Sequence, residues 1–511
     1  MKQTIVLYPS PAIGHLVSMV ELGKLILKHH PSFSITILVT TPPYNTGSTS
    51  PYIDRVSKIN PLIHFHHLPI VSLDLDSPSK NSHMEDLAFR LLRLNNPLVN
   101  QALQTISQTS TINALVIDGF CTPALEVANQ LNIPCFYFFA SGIAALALFL
   151  HLPTVHKNTT KSFKDLDIDI NVPGLPSIST SDLPQPCLDR TDNVYEHFLH
   201  LCTQLSKSQG ILVNSFESLE PRAFKAVSDG LCVPNAPTPP IFGIGPLLAE
   251  NEKTSASSVH ESLQWLDAQP SRSVAFLCFG SLGLFSEAQL KEIAIGLENS
   301  GKRFLWVVRS PPTHDQVKRF LAPPEPDLNA LLPEGFLDRT RDRGLVVKSW
   351  APQTEILNKD AIGGFVTHCG WNSVLESIRA GVPMVAWPLY AEQKVNRVFM
   401  VEEMKVALPM NASENGIVKA SEVERRVRDL MDSDVGKVVR DQTLRMCEDS
   451  KTMLSEGGSS VRALNELAKS WSDVGHALYQ KPESLQEDKV RTFPPNVPML
   501  GSLPVNIRTS S

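Results

Sequence analysis

The run from Trp350 to Gln393, WAPQTEILNKDAIGGFVTHCGWNSVLESIRAGVPMVAWPLYAEQ, decides the fold. It reads as successive strand-to-helix crossings of an α/β domain, with its polar and aromatic residues placed where strands give way to helices. Gly344 to Ser349 (GLVVKS) is a buried strand, so Trp350, Ala351 and Gln353 emerge at its carboxyl end, where open parallel sheets bind ligands. Gly364 to Thr367 is the next strand and delivers His368, after which Gly370, Trp371, Asn372 and Ser373 open a helix that ends near Ala380 and Gly381. A helix start presents unpaired N–H groups and a positive dipole end, which suits a phosphate. Glu376 stands one turn on from Asn372, on the same face. A third strand, Pro383 to Ala386, leads through Trp387 and Pro388 to Glu392 and Gln393 at another helix start. One flat aromatic, one phosphate cradle and several acid or amide groups suit a nucleotide joined to a polyhydroxylated group.

These 44 residues resemble, without a gap, the plant secondary product glycosyltransferase box of family 1 UDP-sugar transferases. The resemblance implies that Trp350 stacks on uracil with Ala351 beside it. It implies that Gln353 and Glu376 hold the ribose, and that His368, Gly370, Asn372 and Ser373 hold the diphosphate. Trp371, Glu392 and Gln393 would face the sugar, and the closing Gln393 accompanies UDP-glucose in the family. The implied fold is GT-B, two Rossmann-like α/β domains facing across a cleft. A Rossmann-like half whose Trp and His residues are only packing is the bland alternative.

Outward from the box, 511 residues suffice for two domains, and 42% hydrophobic with 19% charged residues describes a globular chain. A net charge of −6 argues against a nucleic-acid partner. The eight cysteines contain no C-x-x-C pair, which suits a reducing compartment better than a disulfide or zinc scaffold. The N-terminal apolar run Thr4 to Tyr8 is too short for a signal peptide, and Ser141 to Leu152 is too short to span a membrane. A cytoplasmic monomer is expected, for which the Asn158 and Asn411 sequons carry no meaning.

At the N-terminus, strand Thr4 to Tyr8, loop Pro9 to Gly14, a helix from His15 to about Lys28 and strand Ser34 to Thr40 open a doubly wound domain. The loop has no G-x-G-x-x-G, which disfavours a dinucleotide oxidoreductase. Thr41 to Asn60 reads as surface loop, and Met84 to Ser107 as helix. His15 stands where the first loop meets a helix start, a position that lowers an imidazole's pKa and keeps it a proton acceptor. A lone histidine there is more often structural. Asp118 ends the strand Ala114 to Ile117, and strands one and four of such a domain bring their carboxyl ends together. An aspartate within reach would fix the ring's tautomer and stabilise its cation; equally, Asp118 could cap the helix that follows.

The same family resemblance matches His15 to the general base and Asp118 to its partner, and it extends to about Trp471. Two departures stand out: Ala12 replaces a frequent Gly, and Ala140 replaces a frequent Thr that contacts the sugar, with Ser141 as a substitute. Phe120 and Ser141 are taken as acceptor-side residues, and Gly280-Ser281 at the end of strand Val274 to Phe279 as a second phosphate contact. His64, His66 and His67, and Asp165, Asp167 and Asp169, superficially suggest metal sites, but a solvated strand end and a loop are better readings; no metal or cofactor is expected.

The expected domains are an acceptor-binding unit over 1–248, a linker over 249–260 and a UDP-sugar-binding unit over 261–456. A helix over 457–471 packs back on the first unit, and 472–511 forms a disordered tail. The expected reaction is inverting transfer of glucose from UDP-glucose to a phenolic hydroxyl of a flavonoid or chalcone type, with His15 as base. C-glucosylation of an electron-rich ring and a nucleotide-sugar binder without turnover are the alternatives. A His-Asp hydrolase would lack its G-x-S-x-G elbow.

Overall fold

The computed structural model describes residues 2–44, 49–73, 84–249, 260–313 and 321–479, the last seven as backbone only. Two parallel sheets form its frame. The first is built from β1 (Lys2–Tyr8), β2 (Phe33–Val39), β3 (Ile63–His67), β4 (Ser110–Asp118) and β5 (Cys135–Phe139). A small antiparallel hairpin, β6 (Asp169–Ile170) with β7 (Ile178–Ser179), interrupts the series before β8 (Ile211–Val213) and β9 (Ile241–Gly243) complete that sheet. The second sheet contains β10 (Val274–Cys278), β11 (Arg303–Val308), β12 (Gly344–Lys348), β13 (Ile362–Thr367), β14 (Met384–Ala386) and β15 (Ala407–Pro409).

The strand orders are β3-β2-β1-β4-β5-β8-β9 and β12-β11-β10-β13-β14-β15. Each sheet therefore grows outward in both directions from a central pair, β1 with β4 and β10 with β13. At such a reversal the flanking crossovers go to opposite faces and leave a crevice at the strands' carboxyl ends. Tyr8 is in register with Ile117, and Cys278 with Thr367, so each crevice is bounded by two named strand ends. In the second sheet the central strands β10 (VAFLC) and β13 (IGGFVT) are buried at every position and almost wholly apolar, as burial on both faces requires.

Three differences from the sequence reading have local causes. Residues 41–60 are not all loop: Thr49–Ile59 is a helix whose Tyr52, Ile53 and Val56 are buried against the core that includes Val20, Ile35 and Ile63, one short apolar stripe inside a Ser- and Pro-rich run. Met84–Leu94 and Asn96–Ser107 are two helices, with Pro97 opening the second in place of an interior helical N–H. The closing helix, Ser459–Tyr479, continues past Trp471. The expected linker falls almost wholly on residues 250–259, and the tail beyond 479 likewise lies outside the described residues. The closing helix leaves the second sheet's side and packs on the first, with Leu464, Leu467, Ala468 and Trp471 buried among Ile5, Phe33 and Phe136. Asn113 Nδ2 donates to the Trp471 carbonyl at 3.1 Å.

Candidate active site

One cavity of about 1000 Å³ runs between the two crevices and is lined from both domains. On the first domain's side, the helix Ile13–His29 begins directly after the β1 loop, placing His15 in its first turn. Asp118 is the last residue of β4 and is 1% exposed. His15 Nδ1 and Asp118 Oδ2 are 2.6 Å apart, while Asp118 Oδ1 accepts from the Phe120 N–H at 3.1 Å. Asp118 thus pairs with His15 on one oxygen and caps the single turn Gly119–Cys121 on the other, while the α-helix Ala124–Gln130 that follows starts after Pro123 with no side-chain cap. With Nδ1 engaged, Nε2 of a ring whose side chain is 30% exposed is left for the cavity.

The expectation that the helix start depresses the His15 pKa is corrected. Burial does favour the neutral ring, but the Asp118 carboxylate and then Glu392 outweigh it, and the pKa lies above the usual 6.5. A negative charge 2.6 Å away exceeds a half-charge dipole end that the ring does not contact.

On the second domain's side, the strand ends carry the box residues. Trp350 follows β12 and is 66% exposed, its ring in an edge-to-face contact with His260 at 5.8 Å. A face this open suits stacking by a planar base. Ala351, the next residue, is buried. Gln353 Nε2 donates to Ser373 Oγ at 2.8 Å and to Glu376 Oε2 at 2.6 Å, tying three candidate ligands into one network. Burial raises the Glu376 pKa against these hydrogen bonds.

His368 is 6% exposed, and burial lowers its pKa to about 4, so it is a neutral hydrogen-bonding group at pH 7. Its Nδ1 is buried without a partner. A Cβ on Gly280 would sit 2.6 Å from Nε2, and one on Gly370 closer still, so the ring's other edge is received by two glycines. Gly370 caps the helix Trp371–Ala380, whose first N–H groups open beside His368. Ser349, Cys369 and Ala391 have φ of 62°, 66° and 53°. Each immediately precedes a candidate ligand or its loop, and such backbone strain gathers where function aims a side chain.

Several candidates bridge the domains. Asn372 Nδ2 donates to the Gly14 carbonyl at 3.1 Å and its Oδ1 accepts from Ser18 Oγ at 3.2 Å, joining the candidate phosphate-binding helix start to the His15 loop and helix. Ser141 Oγ donates to Glu392 Oε1 at 2.8 Å, which ties a first-domain residue to a box residue of the second. The Trp371 side chain lines the cavity, and its indole Nε1 is engaged, donating to the Asn214 carbonyl at 2.7 Å. Gln393 is 2% exposed, and its Oε1 accepts from the Leu389 and Tyr390 N–H groups, so it braces the loop that carries Glu392.

Phe120 meets His15 edge-on at 6.0 Å and Phe89 at 5.1 Å, at the edge of an apolar compartment that includes Phe149, Phe198 and Leu201. Pro184 and Pro186 line it too. Sequence reasoning missed Ser18 and Asn214, whose contacts to Asn372 and Trp371 span 354 and 157 positions. It also missed Arg309, the residue immediately after β11, which the strand-end rule used for Trp350 and His368 would have found. Among the described residues, no three His, Cys, Asp or Glu side chains gather as a metal site, and no helix is long and apolar enough to cross a membrane.

The family described as UDP-glucoronosyl and UDP-glucosyl transferase matches residues 234–437. The UDP-glycosyltransferase 88B1 of Stevia rebaudiana is 51% identical to this chain over 468 residues, 92% of this chain and 98% of its own length. A phloretin 2'-O-glucosyltransferase of Malus domestica is 49% identical, across 91% of this chain and 98% of its own. The structure of Phytolacca americana UGT2 complexed with UDP-2fluoro-glucose and pterostilbene superimposes with a TM-score of 0.81 at 36% identity, covering 92% of this chain and 100% of that one.

Proposed function

We propose the reaction of this chain from one premise: it belongs to the UDP-glucoronosyl and UDP-glucosyl transferase family and is a UDP-glycosyltransferase of two Rossmann-like domains. The reaction is transfer of glucose from UDP-glucose to a phenolic hydroxyl of a plant metabolite of flavonoid or chalcone type, in the cytosol and without a metal.

The observation that carries this reading is the His15–Asp118 pair, 2.6 Å apart, at the wall of the cavity that also holds the box residues. His15 Nε2 takes the proton of the acceptor hydroxyl, and the acceptor oxygen forms a bond to the sugar's anomeric carbon. The bond from that carbon to the diphosphate breaks, UDP leaves with the electron pair, and the configuration inverts. Asp118 stabilises the imidazolium and holds the tautomer. The helix start at Gly370 and the neutral His368 donate hydrogen bonds to the departing diphosphate. A phenol, with a pKa of about 10, suits a histidine base better than an alcohol. The apolar compartment beside His15, edged by Phe120 and Phe149, suits flat aromatic acceptors. The named activity of the Malus domestica relative supports this choice.

Mass spectrometry of the purified protein with UDP-glucose and a panel of flavonoids, chalcones and simple phenols tests the reading. A hexose adduct that acid releases is expected. An acid-resistant adduct would move the reaction to an aromatic carbon, and UDP binding with no adduct on any acceptor would overturn the catalytic roles of His15 and Asp118.

A further inference from the structure

The donor half of the cavity has a charge problem. Its ionisable lining among the described residues includes the carboxylates Glu355, Glu376 and Glu392, and His368 is held neutral by burial. A helix start contributes only about half a positive charge. A diphosphate that gains negative charge as it leaves therefore meets one full cation on this side, Arg309.

Arg309 follows β11 directly, between the carboxyl ends of β10 and β12. It is half-buried, and its Nη1 donates to the Gly280 carbonyl at 3.3 Å and to that of Ser281. These contacts fix the guanidinium on the loop that packs against His368. Its Nε is buried with no partner, and no carboxylate lies within ion-pair distance of it among the described residues. A guanidinium stays charged at neutral pH, and burial, which pushes its pKa down, makes an unpaired one costly. The arrangement is explained if an anion completes it. The planar fork matches phosphate oxygens, and the nearest expected anion is the donor's diphosphate at the Gly280–Ser281 turn and the Gly370 helix start.

We infer that Arg309 binds the diphosphate of the donor and balances the charge of the leaving UDP, a role carried by its place in the cavity, its tether to Gly280 and Ser281, and its lack of a carboxylate partner. The inference rests on the donor-site reading given above.

Equilibrium titration of wild type, R309Q and R309K with uridine, UMP and UDP tests it. R309Q should lose tenfold or more in UDP affinity and keep uridine affinity within about twofold, with R309K between wild type and R309Q for UDP. Uridine binding serves as the folding control, because a guanidinium that only held the loop would change both ligands alike. Equal losses for uridine and UDP, or unchanged UDP affinity, would overturn the inference. If R309Q does not fold, R309K carries the same comparison by the same criteria. Failure of the wild type to bind UDP would instead overturn the donor-site reading, so the two failures are distinguishable.

Discussion

The base role proposed for His15 requires a neutral ring, yet Asp118 and Glu392 raise its pKa above 6.5. The acid limb of kcat/KM should therefore lie above pH 6.5, with activity rising as pH passes upward through it. In Asp118→Asn that limb should move to lower pH while the plateau falls about 10²- to 10⁴-fold, because the imidazolium loses its counter-charge. A pH–rate profile of both proteins checks this. The stability contribution has the opposite sign: the pair's effect is fully present below pH 6.5 and is lost as pH rises through the folded pKa. His368 behaves differently. Its folded pKa of about 4 lies below the usual 6.5, so the unfolded chain takes the proton first. Stability should fall as pH drops from 6.5 toward 4, by about 3 kcal/mol in total. Thermal melts of the ligand-free protein at pH 7 and pH 5 should show a smaller difference in His368→Asn. The candidates His15, Asp118 and His368 were legible because each ends a strand or opens a helix; the direction of the His15 pKa was not, because it turns on how closely Asp118, first, and Glu392, second, approach the buried ring.

At the scale of elements, the apolar helix Ile143–Asn158 depends on a carboxylate far along the chain. Glu220, fully buried, accepts from the Ile143 and Ala144 N–H groups at 3.0 Å each and also from the Ser215 hydroxyl. It satisfies two orphan donors at a helix start whose Gly142 cap has no side chain. Glu220→Ala should cost about 2–4 kcal/mol and lower the melting temperature by about 5–10 °C, with a smaller loss in Glu220→Gln. The helix itself was evident from its unbroken apolar run, but its cap is distant in sequence and invisible to local pattern. The reverse error occurred at Thr49–Ile59, where local composition indicated a loop and tertiary burial of Tyr52, Ile53 and Val56 produced a helix.

For the whole molecule, the cleft is held by contacts that cross it. Arg397 pairs with Asp182 at 2.8 Å and Arg222 with Glu403 at 2.7 Å, beside the Asn372–Gly14 and Trp371–Asn214 hydrogen bonds. The closing helix makes the first domain's core depend on the end of the chain: Trp471 is fully buried and meets Phe33 and Phe136 edge-on at 6.2 and 5.9 Å. Trp471→Ala should cost about 3–5 kcal/mol. Its effect should appear as a lower melting temperature with UDP affinity largely kept at low temperature, since the residues proposed to bind the donor sit on the other sheet; parallel melting and titration measurements check this.

The sequence alone determined the α/β class, the family-matching box from Trp350 to Gln393 and the strand ends at which the candidate residues stand, because these depend on local periodicity and on residues contiguous in the chain. Tertiary structure decided the rest. Only the strand orders bring the β1–β4 and β10–β13 crevices onto one cavity, and only packing sends the Trp371 indole to Asn214, Ser141 to Glu392 and Arg309 to the Gly280–Ser281 turn. The physical reason is that a strand end is a property of neighbouring residues, whereas a side chain's partner depends on which distant strands lie next to one another.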